Sequence, residues 1–388
     1  MEDMESLYFT RQILTYMGNK RKFLNKLDDI IGEIKIKLKK KDISIAEGFS
    51  GSGIVSRLLK NRVMGSDSEN LKTLYVNDIA GYAKTINECY LTSNLDLTTD
   101  DCETLILHMK NINKFINNDS VNPEPFIAKY WAPKDDGDIK ENERTYYSHE
   151  NAVRIDKIRY YINKYVEEQY KCFFLAPLLV QCSIHNNTNG QFSAYYKNKA
   201  KTKGKFGGEN GVDLQRIKGK IEPTMPILTS HKAKVIISQE NTLDWIKKIP
   251  KVDLVYYDPP YNKHPYNIYY FLLDIINNWD TKQEIPNSYR GQPKNWEKSP
   301  YCSFKNAKTE FENLIKNTKS NFILLSYNNK GIIPLNEVDE ILMKYGILTK
   351  IPVTHSVYNK YIGIAAKKRK KKEEKISEFL WLLDCRKN

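Results

Sequence analysis

Val252-Asp253-Leu254-Val255-Tyr256-Tyr257, followed at once by Asp258-Pro259-Pro260-Tyr261, is a β-branched and aromatic run halted by two prolines. Proline fixes φ and has no N–H to continue a ladder, so the stretch predicts a buried strand ending in a rigid turn. A turn of that kind holds its polar groups still. Asp258 offers carboxylate oxygens, the Pro259 carbonyl is kept out of any helix by the proline after it, and Tyr261 presents an aromatic face beside them. Together the three suit a planar ring bearing an exocyclic amine; an ordinary strand-to-loop turn is the plainer alternative.

Upstream, the opening hundred residues alternate short apolar runs with amphipathic segments, which favours βαβ units and a parallel sheet. Apolar side chains at three and four spacing over residues 23–38 predict a helix. Residues 43–46 predict a strand, 54–59 the opening of a second helix and 73–76 a second strand, with Asp78 directly after it. From 93 to 232 the alternation stops. Polar, lysine- and asparagine-rich stretches there surround one apolar segment, 172–182, as expected of an inserted domain. Alternation resumes with strands expected at 234–237, 252–257, 321–325 and 378–383. The lysine-rich run 367–372 suits a solvated hairpin turn, with phosphate contact as the other reading. The expected division is thus a catalytic domain of 1–92 and 233–388, interrupted by 93–232.

The chain has 388 residues, enough for one large domain with an insertion. Its six cysteines are scattered, with no C-x-x-C pair and no histidine at ligand spacing, so neither a metal site nor a disulfide framework is indicated. No stretch approaches a spanning helix, and the N-terminus lacks the apolar run of a signal peptide. A soluble, cytoplasmic protein that touches no membrane is expected. The net charge of +14 and the 26 tyrosines fit a polyanionic partner, since cations near phosphates release counterions and aromatic faces stack on bases. Compositional bias of the source accounts for the same numbers equally well.

Glu47-Gly48-Phe49-Ser50-Gly51-Ser52-Gly53 lies between the first strand and its helix. Glycines there let the backbone turn sharply and approach a ligand, while the helix start offers free N–H groups, although many such turns carry glycine for packing alone. Asp78 stands where dinucleotide-type sites put a carboxylate against ribose hydroxyls. The full G-x-G-x-x-G is missing, and no pyrophosphate is implied.

With these residues in hand, the chain resembles the alpha-group DNA adenine-N6 methyltransferases, the Dam-like and restriction-modification enzymes. Four elements carry the resemblance: Tyr16-Met17-Gly18-Asn19-Lys20, the glycine turn with Phe49, Asp78, and Asp258 to Tyr261. Their order, cofactor elements first, then a long insertion, then the tetrapeptide, is similar to the alpha group and unlike the permuted ones. The resemblance implies S-adenosylmethionine as methyl donor, no metal, and an α/β fold: a doubly wound, mostly parallel sheet with an antiparallel hairpin at one edge and a target-recognition domain in the insertion. It implies that Tyr16 and Lys20 contact the cofactor, Phe49, Gly51 and Gly53 border it, Asp78 holds its ribose, and Asp258, Pro259 and Tyr261 of the tetrapeptide are catalytic, Asp258 lying near both the cofactor and the target amine. Two departures stand out. Gly48 replaces the usual proline, which loosens the turn, and Asn241 replaces the aspartate expected against the cofactor adenine, where an amide still accepts one hydrogen bond and donates another.

Within the insertion, the stretch from His185 to Lys205 resembles the recognition hairpin of Dam-like enzymes. Asn186 and Asn189 have amides that pair with adenine edges, and Tyr195, Lys197, Lys199 and Lys201 suit stacking and phosphate contact, a mobile polar loop being the alternative. Helix-like 266–273 corresponds to a helix bordering the family's cofactor and target pocket, or to plain core packing. The expected partner is double-stranded DNA, with adenine flipped out of the stack. A cognate restriction endonuclease would act separately, in a prokaryote or phage, and a monomer is expected. Cytosine-N4 or RNA amine methylation, and a non-catalytic binder retaining the fold, are the other readings.

Overall fold

A computed structural model describes residues 8–9, 11, 13–63, 72–294, 298–353 and 378–386. Its contacts separate into two compact units: Met1–Asn19 with Glu88–Ser230 and Asn267–Trp296, and Lys20–Asn87 with His231–Tyr266 and Glu297–Asn388. No helix among the described residues is long and apolar enough to cross a membrane. The run 367–372 lies outside the described residues.

The second unit holds the sheet. Among the described residues its strands are β1 (Ile45–Glu47), β2 (Thr73–Asn77), β3 (Lys234–Ser238), β4 (Val252–Tyr257), β5 (Ser320–Asn328), β6 (Ile347–Val353) and β7 (Glu378–Asp384). They lie in the order β3-β2-β1-β4-β5-β7-β6. The first five are parallel, while β7 runs antiparallel to both β5 and β6. This is the mixed α/β, mostly parallel sheet expected of the methyltransferase class. Every residue of β4 is buried, as a central parallel strand covered on both faces requires.

The run 252–257 carries one charged residue, Asp253, and its place explains where β1 begins. Asp253 Oδ2 accepts from Ser44 N (3.0 Å) and Ser44 Oγ (3.2 Å), and Oδ1 from Lys40 Nζ (2.6 Å) and Asn321 Nδ2 (3.0 Å). Ser44 thus spends its N–H on a side chain, and the ladder starts at Ile45 rather than at 43. β6 was not anticipated. Its Pro352 argues against a strand, but β6 is the sheet edge, where a missing N–H is tolerated. The helix expected at 23–38 is Leu24–Leu38, led in by the 3-10 turn Lys20–Phe23.

The first unit is helical. Thr98 and Asp101 form a capping box at the start of Thr99–Ile116, and Ser148 caps His149–Tyr165 by accepting from Asn151 N. The apolar segment 172–182 lies within the helix Lys171–Ile184, most of which is buried. Two further segments pack with this unit, so its composition differs from the expected 93–232. Tyr16 stacks on Tyr270 at 4.7 Å, Phe192 N donates to Tyr269 O (2.8 Å), and Trp131 Nε1 to Arg290 O (3.1 Å). Arg144 donates to the carbonyls of Tyr130, Pro286 and Ser288. Tyr266–Asn278 is the helix expected at 266–273, and its Tyr270 is buried against Tyr16.

Asp253→Ala strips partners from Ser44 and Asn321 together, and is expected to lower unfolding stability by about 2–3 kcal/mol in urea titration. A loss below about 0.5 kcal/mol, the level of an ordinary surface change, would show that the brace is dispensable.

Candidate active site

Register brings the two sequence motifs together. Glu47 of β1 pairs with Tyr256 of β4, and Gly48 N donates to Tyr256 O at 3.1 Å, so the glycine turn and the tetrapeptide leave the sheet side by side. This is the place where strand order changes direction, the usual ligand crevice of open α/β sheets. Gly48 does not loosen the turn. A Cβ there would stand 2.7 Å from the Tyr257 ring and 2.9 Å from Thr242 Cγ2, and its carbonyl accepts from Thr242 Oγ1 (3.0 Å). Proline could neither fit nor donate to Tyr256.

Gly51 and Gly53 have φ of 50° and 72°, the left-handed region that favours glycine. A Cβ on Gly53 would lie 2.9 Å from Asn87 Oδ1. Asn87 donates to Ser50 Oγ (3.0 Å) and Ala83 O (2.9 Å), while its buried Oδ1 has no hydrogen-bond partner among the described residues. Asp78 draws the turn closed: Oδ2 accepts from Gly51 N (2.7 Å) and Oδ1 from Ala80 N (2.9 Å). Burial pushes its carboxyl above the usual range, against the pull of the Ala80, Gly51 and Ile79 N–H groups. Each oxygen retains acceptor capacity for a hydroxyl.

Asn241 is the N-cap of Thr242–Lys248, with Oδ1 accepting from Leu243 N at 2.9 Å, so its carbonyl serves the helix and its amide N–H groups are the end left for a ligand. Phe49 meets Tyr301 and Tyr257 edge-on at 5.3 and 6.1 Å, packed against the core. Glu47 is buried and accepts from Ser56 Oγ (2.5 Å). Burial lifts its carboxyl to about 8, with Asp258 and Asp78 adding to the rise and the Ser56 bond opposing it.

Around the tetrapeptide, Lys20 Nζ sits 2.9 Å from Asp258 Oδ2 and 3.8 Å from Glu378 Oε2, with side-chain exposures of 3, 20 and 13%. The same ammonium lies 6.0 Å from the centre of the Tyr261 ring. Burial works against the Lys20 charge, but Asp258, Glu378 and Tyr261 together hold it above the usual lysine range. Burial raises the Asp258 carboxyl, with Lys20 opposing. Asp258 Oδ1 is buried without a hydrogen-bond partner among the described residues. Tyr261 is held by its carbonyl, which accepts from Ile332 N (2.8 Å), and by edge contact with Tyr327 at 6.1 Å. Pro259 is buried between them in sequence.

The remaining expected residues belong to the first unit. Tyr16 lies flat on Tyr270, whose hydroxyl accepts from Met17 N (2.8 Å). Asn186 is a correction: it is buried, its amide donates to the Cys182 and Ser183 carbonyls, and its Oδ1 accepts from Thr188 Oγ1, so it closes a loop and offers no edge to a base. Tyr195 is likewise buried, stacked on Tyr289 at 4.7 Å, because the loop 280–292 covers it. Lys197 Nζ lies 4.2 Å over the Tyr289 ring and 5.8 Å from that of Tyr195. Lys197 bridges to Gly204, and Asn198 closes the hairpin tip by accepting from Thr202 N and Lys203 N. That tip exposes Lys199, Lys201 and Lys203; Asn189 is half-buried. Sequence reasoning missed Glu47, Asn87 and Glu378. An acid at the head of an apolar strand was the available signal for Glu378, and the residue before the glycine turn for Glu47; Asn87 gave none.

Residues 16–337 match the family model described as D12 class N6 adenine-specific DNA methyltransferase. The type II methyltransferase M.NlaIII of Neisseria lactamica is 26% identical over 377 residues, covering 96% of this chain and 99% of that protein. M.CviAII, a type II methyltransferase of Paramecium bursaria Chlorella virus 1, is 25% identical over 353 residues, 90% of this chain and 93% of its own. The type II methyltransferase M.FokI of Planomicrobium okeanokoites is 26% identical over 381 residues, and the chain spans 52% of its length.

Glu47 binds its proton more tightly folded than unfolded, so it lowers stability progressively as pH climbs from its ordinary value toward about 8. Glu47→Gln removes that slope. Calorimetry without cofactor is expected to show a shallower fall in Tm from about pH 5 to about pH 8 for the variant; equal slopes would refute the raised carboxyl.

Proposed function

The chain belongs to the D12 class N6 adenine-specific DNA methyltransferases, and from that membership we propose that Asp258, Pro259 and Tyr261 hold the target adenine while the glycine turn and Asp78 hold S-adenosylmethionine. The observation that carries the reading is Asp258 itself, with one oxygen on Lys20 and the other buried without a hydrogen-bond partner among the described residues. An orphaned buried acceptor is costly, and an amine N–H supplies what it lacks.

The residues present fit the cofactor. The positive-φ glycines give the turn a shape other residues rarely adopt, Asp78 keeps acceptor capacity for ribose hydroxyls, Asn241 keeps its amide donors, and Asn87 Oδ1 beside Gly53 is an acceptor suited to an ammonium group. When bound, S-adenosylmethionine supplies an electrophilic methyl group. Adenine N6 is a poor nucleophile because its lone pair is delocalised into the ring. Asp258 and the Pro259 carbonyl, by accepting its two N–H bonds, favour the geometry in which the lone pair points out of the ring plane, and the Asp258 charge stabilises the positive charge that develops on nitrogen. The glycine turn and Asp78 would hold the donor while N6 takes its methyl group, and the extra proton on N6 would depart to Asp258 or water. Tyr261 offsets part of the cost of flipping the base by stacking on it.

The reading extends to double-stranded DNA bound in part by the first unit, whose hairpin tip carries Lys199, Lys201 and Lys203. It extends also to modification of host DNA beside a separately acting restriction endonuclease, the protein working as a monomer in the cytoplasm of a prokaryote or in a phage-infected cell. Relatives named as type II methyltransferases support that context.

In a tritiated-methyl transfer assay on unmodified genomic DNA, Asp258→Ala is expected to abolish turnover while DNA binding persists; wild-type methylation by this variant would sink the assignment. Replacing Lys199, Lys201 and Lys203 with alanine is expected to weaken DNA binding uniformly across sequences. The slope of log affinity against log salt should fall by about one unit for each phosphate that the tip no longer neutralises. An unchanged slope would remove the tip from the interface.

A further inference from the structure

Glu378 opens β7, opposite Asn328 of β5 and Val353 of β6. The residues after it, Phe379 to Leu383, are all apolar. Pairing on both sides and the packing of buried Trp381 hold β7 without any charge at its first position. Yet the Glu378 carboxylate lies at the end of the sheet where Lys20 and Asp258 meet, and its Oε2 is buried with no hydrogen-bond partner among the described residues. A buried carboxylate of this kind is unfavourable unless a nearby charge compensates for it, and Lys20 at 3.8 Å is that charge.

We propose that Glu378 is a positioning residue for methyl transfer, sharing the Lys20 ammonium with Asp258 so that this ammonium does not fully neutralise the carboxylate facing the target amine. The inference rests on the reading of Asp258 given above. Lys20 and Asp258 alone would form a neutral pair, which does little for an amine on which positive charge develops. With a second carboxylate within reach of the same ammonium, the three ionised groups carry one net negative charge beside the amine. The unequal distances, 2.9 Å to Asp258 and 3.8 Å to Glu378, describe an ammonium that bonds to Asp258 with Glu378 within ion-pair reach of it. The groups acting on Glu378 are Lys20, from the turn before the first helix, and Asp258, from the end of β4. Its register neighbours on β5 and β6 do not titrate, and the phenols of Tyr261 and Tyr256 feel its charge in turn.

Glu378→Gln preserves size and removes the charge, and Glu378→Asp restores the charge on a shorter stem. Wild type, both variants and Asp258→Ala are compared as full-length protein by single-turnover transfer of a tritiated methyl group to unmodified genomic DNA across pH, with S-adenosylmethionine affinity measured by calorimetry. For Glu378→Gln the plateau rate constant is expected to fall about ten-fold with cofactor affinity within about two-fold of wild type. The acid limb should move to lower pH, because no second carboxylate then opposes ionisation of Asp258, and Glu378→Asp should recover part of the rate. An unchanged rate constant and profile, or a loss of rate matched by a loss of cofactor affinity or of Tm in both variants, overturns the inference. Full methylation by Asp258→Ala instead overturns the reading of the tetrapeptide, so the two failures are told apart in one experiment.

Discussion

The chemistry of the second unit depends on the register of β1 against β4. Glu47 opposite Tyr256 sets the levels at which both strands end, and the bond from Gly48 N to Tyr256 O locks the glycine turn to the strand that carries the tetrapeptide. A slip of one residue would reverse which face each side chain occupies. It would also separate Glu47 and Asp78 from Asp258, removing one of the smaller contributions that add to the effect of burial on Glu47. The brace at the opposite end of the same strands, Asp253 on Ser44, Lys40 and Asn321, acts on the same variable: it fixes where β1, β4 and β5 start.

Buried carboxylates define the site's electrostatic character. Glu47, Asp78, Asp258 and Glu378 are all pushed upward by burial, and Lys20 is the cation set among the last two. Such an arrangement suits a cationic ligand and a reaction that builds positive charge on an amine. It also carries a cost, because like charges close together in a poorly solvated place oppose one another's ionisation.

Much of this was legible from residue order. Parallel strands covered on both faces read as continuous apolar runs, so β4 and β5 could be found; β2, β3 and the antiparallel β7 also carry short apolar runs, and rigid turns carry their own punctuation in glycine and proline. What escaped depended on contacts distant in sequence. β6 contains a proline that only its edge position tolerates. Glu378 acquires meaning from Lys20, over three hundred residues away along the chain. Asn186 has the side chain of a base reader, yet three local bonds bury it. Tyr270 stacks on Tyr16 and the Tyr269 carbonyl accepts from Phe192 N, pairings that no local pattern announces.

The position of β7 between β5 and β6 has a consequence for synthesis. Strands made in succession are not neighbours here: β5 leaves the ribosome with one side unpaired, and β6, made next, has no place in the sheet until β7 arrives between them. For that interval the nascent chain exposes an open strand edge rich in Phe, Ile and Leu, the kind of edge that recruits a second chain. Closure by β7 removes the hazard and delivers Glu378 in the same event, so completion of the sheet and completion of the charged cluster are one step in assembly.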